Sequence, residues 1–138
     1  NSYRSTAVAN REDSTAVANS SSSTAVANSY RSTAVANSFS STAVANSFSS
    51  TAVANREDST AVANSFSSTA VANRENSIAL CRGSNSKAKG KIGAWLVIAE
   101  YDHENKNIIN IVSGKVDGKT IKEDVLYTAK DGALVEVV

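Results

Sequence analysis

Asn28-Ser-Tyr-Arg-Ser-Thr-Ala-Val-Ala36 is followed at once by Asn37-Ser-Phe-Ser-Ser-Thr-Ala-Val-Ala45, and the same nine-residue block recurs from Asn1 to Cys81. Its core, Ser-Thr-Ala-Val-Ala-Asn, occurs verbatim eight times, from Ser5–Asn10 to Ser68–Asn73. A short fixed period of this kind implies a solenoid, in which each unit buries its apolar face only against its neighbours. Within a block, Ser-Thr-Ala-Val-Ala is a short β-capable run, and Asn-Ser-Phe-Ser or Asn-Arg-Glu-Asp is a turn-forming one. One extended run of about five residues spans only ~17 Å, and the chain must still return. Nine residues are therefore too few to close a coil. Two blocks are the smallest closed unit, which predicts a flattened, all-β parallel solenoid of two opposed sheets with eighteen residues per coil. Ten blocks would make about 24 Å of shaft at ~4.8 Å per coil.

Side chains alternate along a strand, so either Thr and Val or Ser and Ala face inward. Burying Val, at about 1.5–3 kcal/mol each, is the usual hydrophobic reading. The end of the array argues for the other parity. In Arg82–Gly90, Ser86, Ala88 and Gly90 stay small, while Lys87 and Lys89 replace Thr and Val. Lysine is almost never fully buried. In the preceding block Ser77, Ala79 and Cys81 stay small, while Ile78 and Leu80 grow larger. The sequence thus favours a tight Ser/Ala interior with Thr and Val outside. Thr24, Val26, Thr33, Val35, Thr42, Val44, Thr51, Val53, Thr60 and Val62 then form the candidate interaction face, since flat apolar rows left in solvent usually mark a partner surface.

The third block position is Tyr3, Tyr30, Phe39, Phe48 or Phe66 in some repeats and Glu12, Ser21, Glu57 or Glu75 in others, which places it in solvent. At eighteen residues per coil, Tyr30, Phe48 and Phe66 share one edge and are expected to stack as a ladder. Turn packing accounts for such a ladder; a sugar or protein contact strip is its functional reading.

The composition divides the chain into a repeat domain, residues 1–90, and a C-terminal domain, residues 91–138. Residues 1–81 have no Lys, Pro or Gly, and their five Arg are balanced by five acidic residues. Residues 82–138 carry nine basic and eight acidic groups. Neither part offers the basic field that nucleic acid would need. No apolar run approaches the ~18 residues of a membrane span. The chain opens at Asn1 within the repeat and contains no Met, which reads as a processed or truncated piece of a longer repeat protein. After Ile92, strands are predicted at Ala94–Tyr101, Ile108–Val116, Val125–Ala129 and Ala133–Val138, the last two joined by an Asp131-Gly132 hairpin turn. They read as a small antiparallel sheet that caps the open edges of the shaft.

Ser77-Ile-Ala-Leu80, Ser86-Lys-Ala-Lys-Gly90, Gly93-Ala-Trp-Leu-Val-Ile-Ala-Glu100, Val116-Asp-Gly-Lys-Thr-Ile-Lys122 and Tyr127 before Asp131-Gly132 resemble an uncharacterised family of bacterial and bacteriophage repeat proteins. There a Ser-Ala-Ala-type nonapeptide array precedes a C-terminal segment of this pattern. The array here departs from it by placing Phe, Tyr or Arg-Glu-Asp in turns where relatives commonly have Gly. The resemblance implies a β-solenoid with a terminal cap and brings no catalytic residues.

Reactive groups are sparse. His103 is the only histidine and lies in the turn-forming Asp102-His103-Glu104-Asn105. Turn composition accounts for Asp102 and Glu104 without a metal. Cys81 is single and stands where earlier blocks have Ala, which suits packing and excludes an internal disulfide. Calcium-binding nonapeptides need a Gly-Gly-x-Gly-x-Asp pattern that is missing here. The Asn19-Ser20-Ser21 sequon is expected by chance in so Asn- and Ser-rich a chain. The expectation is a non-enzymatic structural or surface-binding protein with no cofactor, such as a shaft or fibre segment of a bacterial or phage surface structure. The sequence does not fix its compartment, an extracellular, cell-surface or virion-associated place being the one favoured, and it would be partnered through the solenoid faces with itself or another chain. The alternative is an ice-binding or other flat-lattice-binding face, because outward Thr-x-Val sets side chains ~6.7 Å apart along a strand and ~4.8 Å apart between coils.

Overall fold

The computed structural model describes residues 4–137. Ten four-residue strands follow the repeat: β1 (Thr6–Ala9), β2 (Thr15–Ala18), β3 (Thr24–Ala27), β4 (Thr33–Ala36), β5 (Thr42–Ala45), β6 (Thr51–Ala54), β7 (Thr60–Ala63), β8 (Thr69–Ala72), β9 (Ile78–Cys81) and β10 (Lys87–Gly90). Four more complete the chain: β11 (Trp95–Tyr101), β12 (Ile108–Lys115), β13 (Tyr127–Lys130) and β14 (Ala133–Glu136). They form two seven-stranded sheets, β1-β3-β5-β7-β9-β11-β12 and β14-β13-β10-β8-β6-β4-β2. Val8 pairs with Val26 and Val17 with Val35, so the coil is eighteen residues long and every second block stacks in parallel.

The interior is Ala and Ser, with Cys81 in place of one Ala. From Ala25 to Ala88 the strand alanines are fully enclosed, and Ser23, Ser32, Ser41, Ser50, Ser59, Ser68, Ser77 and Ser86 are buried beside them. Thr and Val of the same strands face outward and are half-buried in the middle coils. Val71, at 7% exposure, is the covered member of its column. Small side chains let the two sheets approach closely, but they remove little apolar area from water, so hydrogen bonds must supply much of the order.

Each turn supplies such bonds. Its fourth block residue is left-handed without being glycine, with φ between 54° and 58° from Asp13 through Asn85. That conformation is unfavourable for a residue with a Cβ. A bond to the next coil compensates: Ser22 N–H donates to the Phe39 carbonyl at 3.1 Å, and Ser49 N–H to Phe66 at 3.2 Å. The buried serines complete the turns. Ser50 Oγ donates to the Ser29 carbonyl at 3.0 Å and Ser68 Oγ to Ser47 at 3.1 Å, a step of twenty-one residues that repeats from Ser32 to Ser86. No buried side-chain polar atom among the described residues lacks a partner.

The C-terminal strands do not form a sheet of their own. β11 adds to β9 in parallel, with Trp95 beside Ile78 and Val97 beside Leu80, so the solenoid continues past residue 90. β12 then turns back antiparallel on β11, and the β13–β14 hairpin joins the other sheet where Tyr127 pairs with Ala88. The cap is thus two hairpins, one on each shaft sheet. Asp131 and Gly132, with φ of 52° and 77°, give the second hairpin the pair of left-handed residues that a tight two-residue turn requires. Inside the last coil, Leu96, Ile98, Val116 and Tyr127 replace Ala. Gly90 makes room for them: a Cβ there would stand 2.9 Å from the Ala72 carbonyl oxygen and 3.0 Å from Ala94 Cβ.

Candidate functional site

The ten Thr and Val residues singled out by the sequence divide between two faces. Thr24, Val26, Thr42, Val44, Thr60 and Val62 lie on the first sheet, while Thr33, Val35, Thr51 and Val53 lie on the second. On each face the residues stand in columns, because parallel pairing without a register shift places identical residues side by side.

The two faces end differently. On the first sheet the Thr column runs from Thr60 into Ile78 and Trp95, and the Val column from Val62 into Leu80 and Val97. On the second sheet Thr69 is followed by Lys87 and Val71 by Lys89. One face therefore becomes more apolar as far as β11, where Lys115 of β12 stands beside Trp95, and the other becomes cationic already at β10. Beyond β9 the first face holds a hollow of about 250 Å³ whose lining includes Leu80, Val97, Ala99, Ile108 and Ile111.

Both edges of the shaft carry side-chain ladders. Tyr30, Phe48 and Phe66 stack with ring centroids 5.8 and 4.9 Å apart, as the eighteen-residue spacing requires. Tyr3, the remaining aromatic at this block position besides Phe39, lies outside the described residues. The stacked rings turn their faces toward one another. The Arg31 guanidinium lies 5.0 Å from the Tyr30 ring centre and binds Glu12 at 2.9 Å. Faces used in this way are withdrawn from stacking on a sugar, so the geometry favours edge packing over a carbohydrate strip. A second set of ladders runs through the first block position: Asn28, Asn46 and Asn64 donate Nδ2 to Asn10, Asn28 and Asn46 at 3.2, 3.1 and 2.9 Å. Asn37, Asn55 and Asn73 repeat the pattern on the other edge at 3.0, 2.7 and 2.6 Å. Sequence reading assigned these asparagines to turns; their strict eighteen-residue recurrence was the signal for amide stacking.

The reactive groups have structural partners. His103 is exposed in the β11–β12 turn. Asp102 accepts from Lys106 N–H at 2.9 Å and Asn107 Nδ2 at 3.0 Å, bonds that hold its carboxyl below the usual range. Cys81 is buried, its thiol is pushed up to about 12 by desolvation, and Sγ–H donates to the Lys87 carbonyl at 3.0 Å. A thiol so far from ionising at neutral pH is a poor nucleophile. An open polar groove of about 710 Å³ on one edge mixes Glu57, Glu75 and Glu123 with Arg74 and Lys91; Lys91 pairs there with Asp124 and Glu123.

Glu100 escaped the sequence reading. It points into the last coil at 8% exposure, accepting from Asn110 Nδ2 at 2.9 Å, Asp131 N–H at 2.6 Å and Gly132 N–H at 3.0 Å. The bonds from Asn110 and Gly132 hold its carboxyl below the ordinary glutamate range. One carboxylate thereby ties the β11–β12 hairpin to the β13–β14 turn, thirty-one residues away.

The class that fold and surface define is a two-sheeted parallel β-solenoid closed by terminal hairpins. No family model, curated protein or solved structure matches the chain.

Proposed function

We propose that this protein is a non-enzymatic structural element, a rigid shaft segment that acts through its flat Thr/Val faces by associating with itself or another chain. The carrying observation is the in-register outward columns, such as Val26–Val44–Val62 and Val17–Val35–Val53. Nonpolar rows of this regularity serve contact better than chemistry, since a reaction needs convergent polar groups. A surface fibre is the setting that neutral, near-identical repeats ending in a cap favour, and only the resemblance points to a bacterial or phage source. The test is sedimentation of the wild-type chain beside two variants, Val44→Lys with Val62→Lys and Val35→Lys with Val53→Lys. Each pair lies one coil apart on a single sheet. Concentration-dependent association that one pair abolishes, with β circular dichroism intact, supports the reading. A wild type that stays monomeric at high concentration overturns self-association, and loss of β structure in the variants would mean that these valines hold the fold.

The Thr columns favour a second reading, binding to a regular lattice such as ice, because side chains repeat at ~6.7 and ~4.8 Å in two directions. Thermal hysteresis decides it: a freezing-point gap that the Lys variants remove supports lattice binding, and its absence leaves the shaft.

A further inference from the structure

Among the described residues, the first sheet ends in a knob beside a hole. Trp95 stands outward on β11 at 44% exposure, and two to four residues along the same strand Val97 and Ala99 line the apolar hollow, with Leu80 on one neighbouring strand and Ile108 and Ile111 on the other. Pockets that hold small molecules usually run from ~300 to 1,000 Å³. At about 250 Å³ the hollow is sized for one large side chain. Resting on the self-association reading, we propose that this face pairs with the same face of a second copy about a two-fold axis along the shaft, each Trp95 entering the other's hollow.

The symmetry follows from placement. A two-fold axis along the shaft keeps each coil level with its counterpart and reverses the strand direction across the interface. Trp95, in the Thr column, then faces the Val97 end of the partner's β11. Thr columns meet Val columns down the shaft, so one patch is complementary to itself, as an isologous interface demands. Charge bears less on the first sheet. The outward residues of β1, β3, β5, β7, β9 and β11 are uncharged, and the cations at this end, Lys115 beside Trp95 on β12 and Arg82 at the hollow, lie next to the columns, whereas on the second sheet Lys87 and Lys89 stand in the columns themselves.

The exposed apolar residues centre the patch. Ile78, Trp95, Ile108 and Ile111 are 38–63% exposed. The Thr and Val rows beside them bring the face toward the ~800 Å² per partner of a stable interface.

Trp95 is the single tryptophan, so its fluorescence reports this contact alone. The full chain is followed by sedimentation and by tryptophan emission across a concentration series, with Ile111→Lys as the disrupting variant. Ile111 is 63% exposed and is no part of the core. The expected result is a monomer–dimer transition with a blue shift of the emission as dimer forms, at least a tenfold weaker transition in Ile111→Lys, and no change in Val35→Lys with Val53→Lys. Association without a Trp95 shift, or association broken by the second-sheet variant and not by Ile111→Lys, overturns the assignment and leaves the self-association reading standing. Trp95→Ser, read by sedimentation alone, is the second check: a dimer of wild-type strength overturns the proposal. A wild type that never associates overturns both.

Discussion

Between Ala25 and Ala88 the interior consists of Ala and Ser with the single Cys81, whereas beyond Ala94 it is built from Leu96, Ile98, Val116 and Tyr127. The shaft encloses little apolar area per residue and is ordered by repeating backbone, Ser and Asn hydrogen bonds. The cap relies on burial of large side chains and on a single carboxylate, Glu100, that bridges its two hairpins. Periodicity explains the contrast. A repeating coil can reuse one small solution indefinitely, but its end has no neighbour and needs a core of its own.

Leu96→Ala should produce the largest loss. It removes a fully buried large side chain from the cap, at about 2–5 kcal/mol by analogy with other core truncations, measured as a lower denaturant midpoint. The shaft should fail in the opposite direction. Ala52 is fully enclosed, so Ala52→Leu forces the sheets apart and costs about 1–3 kcal/mol, while an Ile98→Leu change in the cap should cost less. A midpoint unmoved by Ala52→Leu would break the contrast between a tight shaft and a side-chain-packed cap.

Ser50→Ala deletes the bond to the Ser29 carbonyl, a loss of about 1 kcal/mol; hydrogen exchange should rise first at the adjoining turns. Glu100→Gln acts on the cap alone, placing an amide NH₂ among donors that now share a carboxylate. Its pH dependence has a definite sign. The folded pKa lies below the ordinary value, so the contribution is complete above about pH 4.3, the usual glutamate value. It is lost as the pH falls through the folded pKa. The wild-type cap should therefore exchange amide protons more readily in acid, relative to the intrinsic rate, and Glu100→Gln should flatten that profile. Equal acid sensitivity in both proteins would refute the clamp. Phe66→Ser should have the smallest effect, about 0.5 kcal/mol from the loss of its one ring contact at an exposed edge, seen in the denaturant midpoint with β content unchanged.

The block period was enough to fix the coil, because nine residues cannot close and identical residues must stack; Val8 pairs with Val26 for that reason. The inward Ser/Ala parity was legible from two lysines, Lys87 and Lys89, whose charge forbids full burial. The stacking of Tyr30, Phe48 and Phe66 followed from spacing alone. The candidate face was only half legible: the eighteen-residue coil assigned alternate blocks to opposite sheets, but not the different ends of the two faces, Ile78 and Trp95 on one and Lys87 and Lys89 on the other.

The C-terminal residues show where local pattern stops being informative. Alternation marked their strands, yet nothing local distinguishes a strand joining an independent sheet from one that continues a solenoid. That choice rests on partners far apart in the chain, Trp95 with Ile78 and Tyr127 with Ala88. Glu100 is the sharpest case, since among the charges of this segment only the fold brings it to the Asp131 and Gly132 amides. Repetition lets the sequence determine the shaft, where every contact recurs at one offset. The cap, the hollow beside Trp95 and the carboxylate clamp depend on contacts that occur once, so only the tertiary structure could decide them.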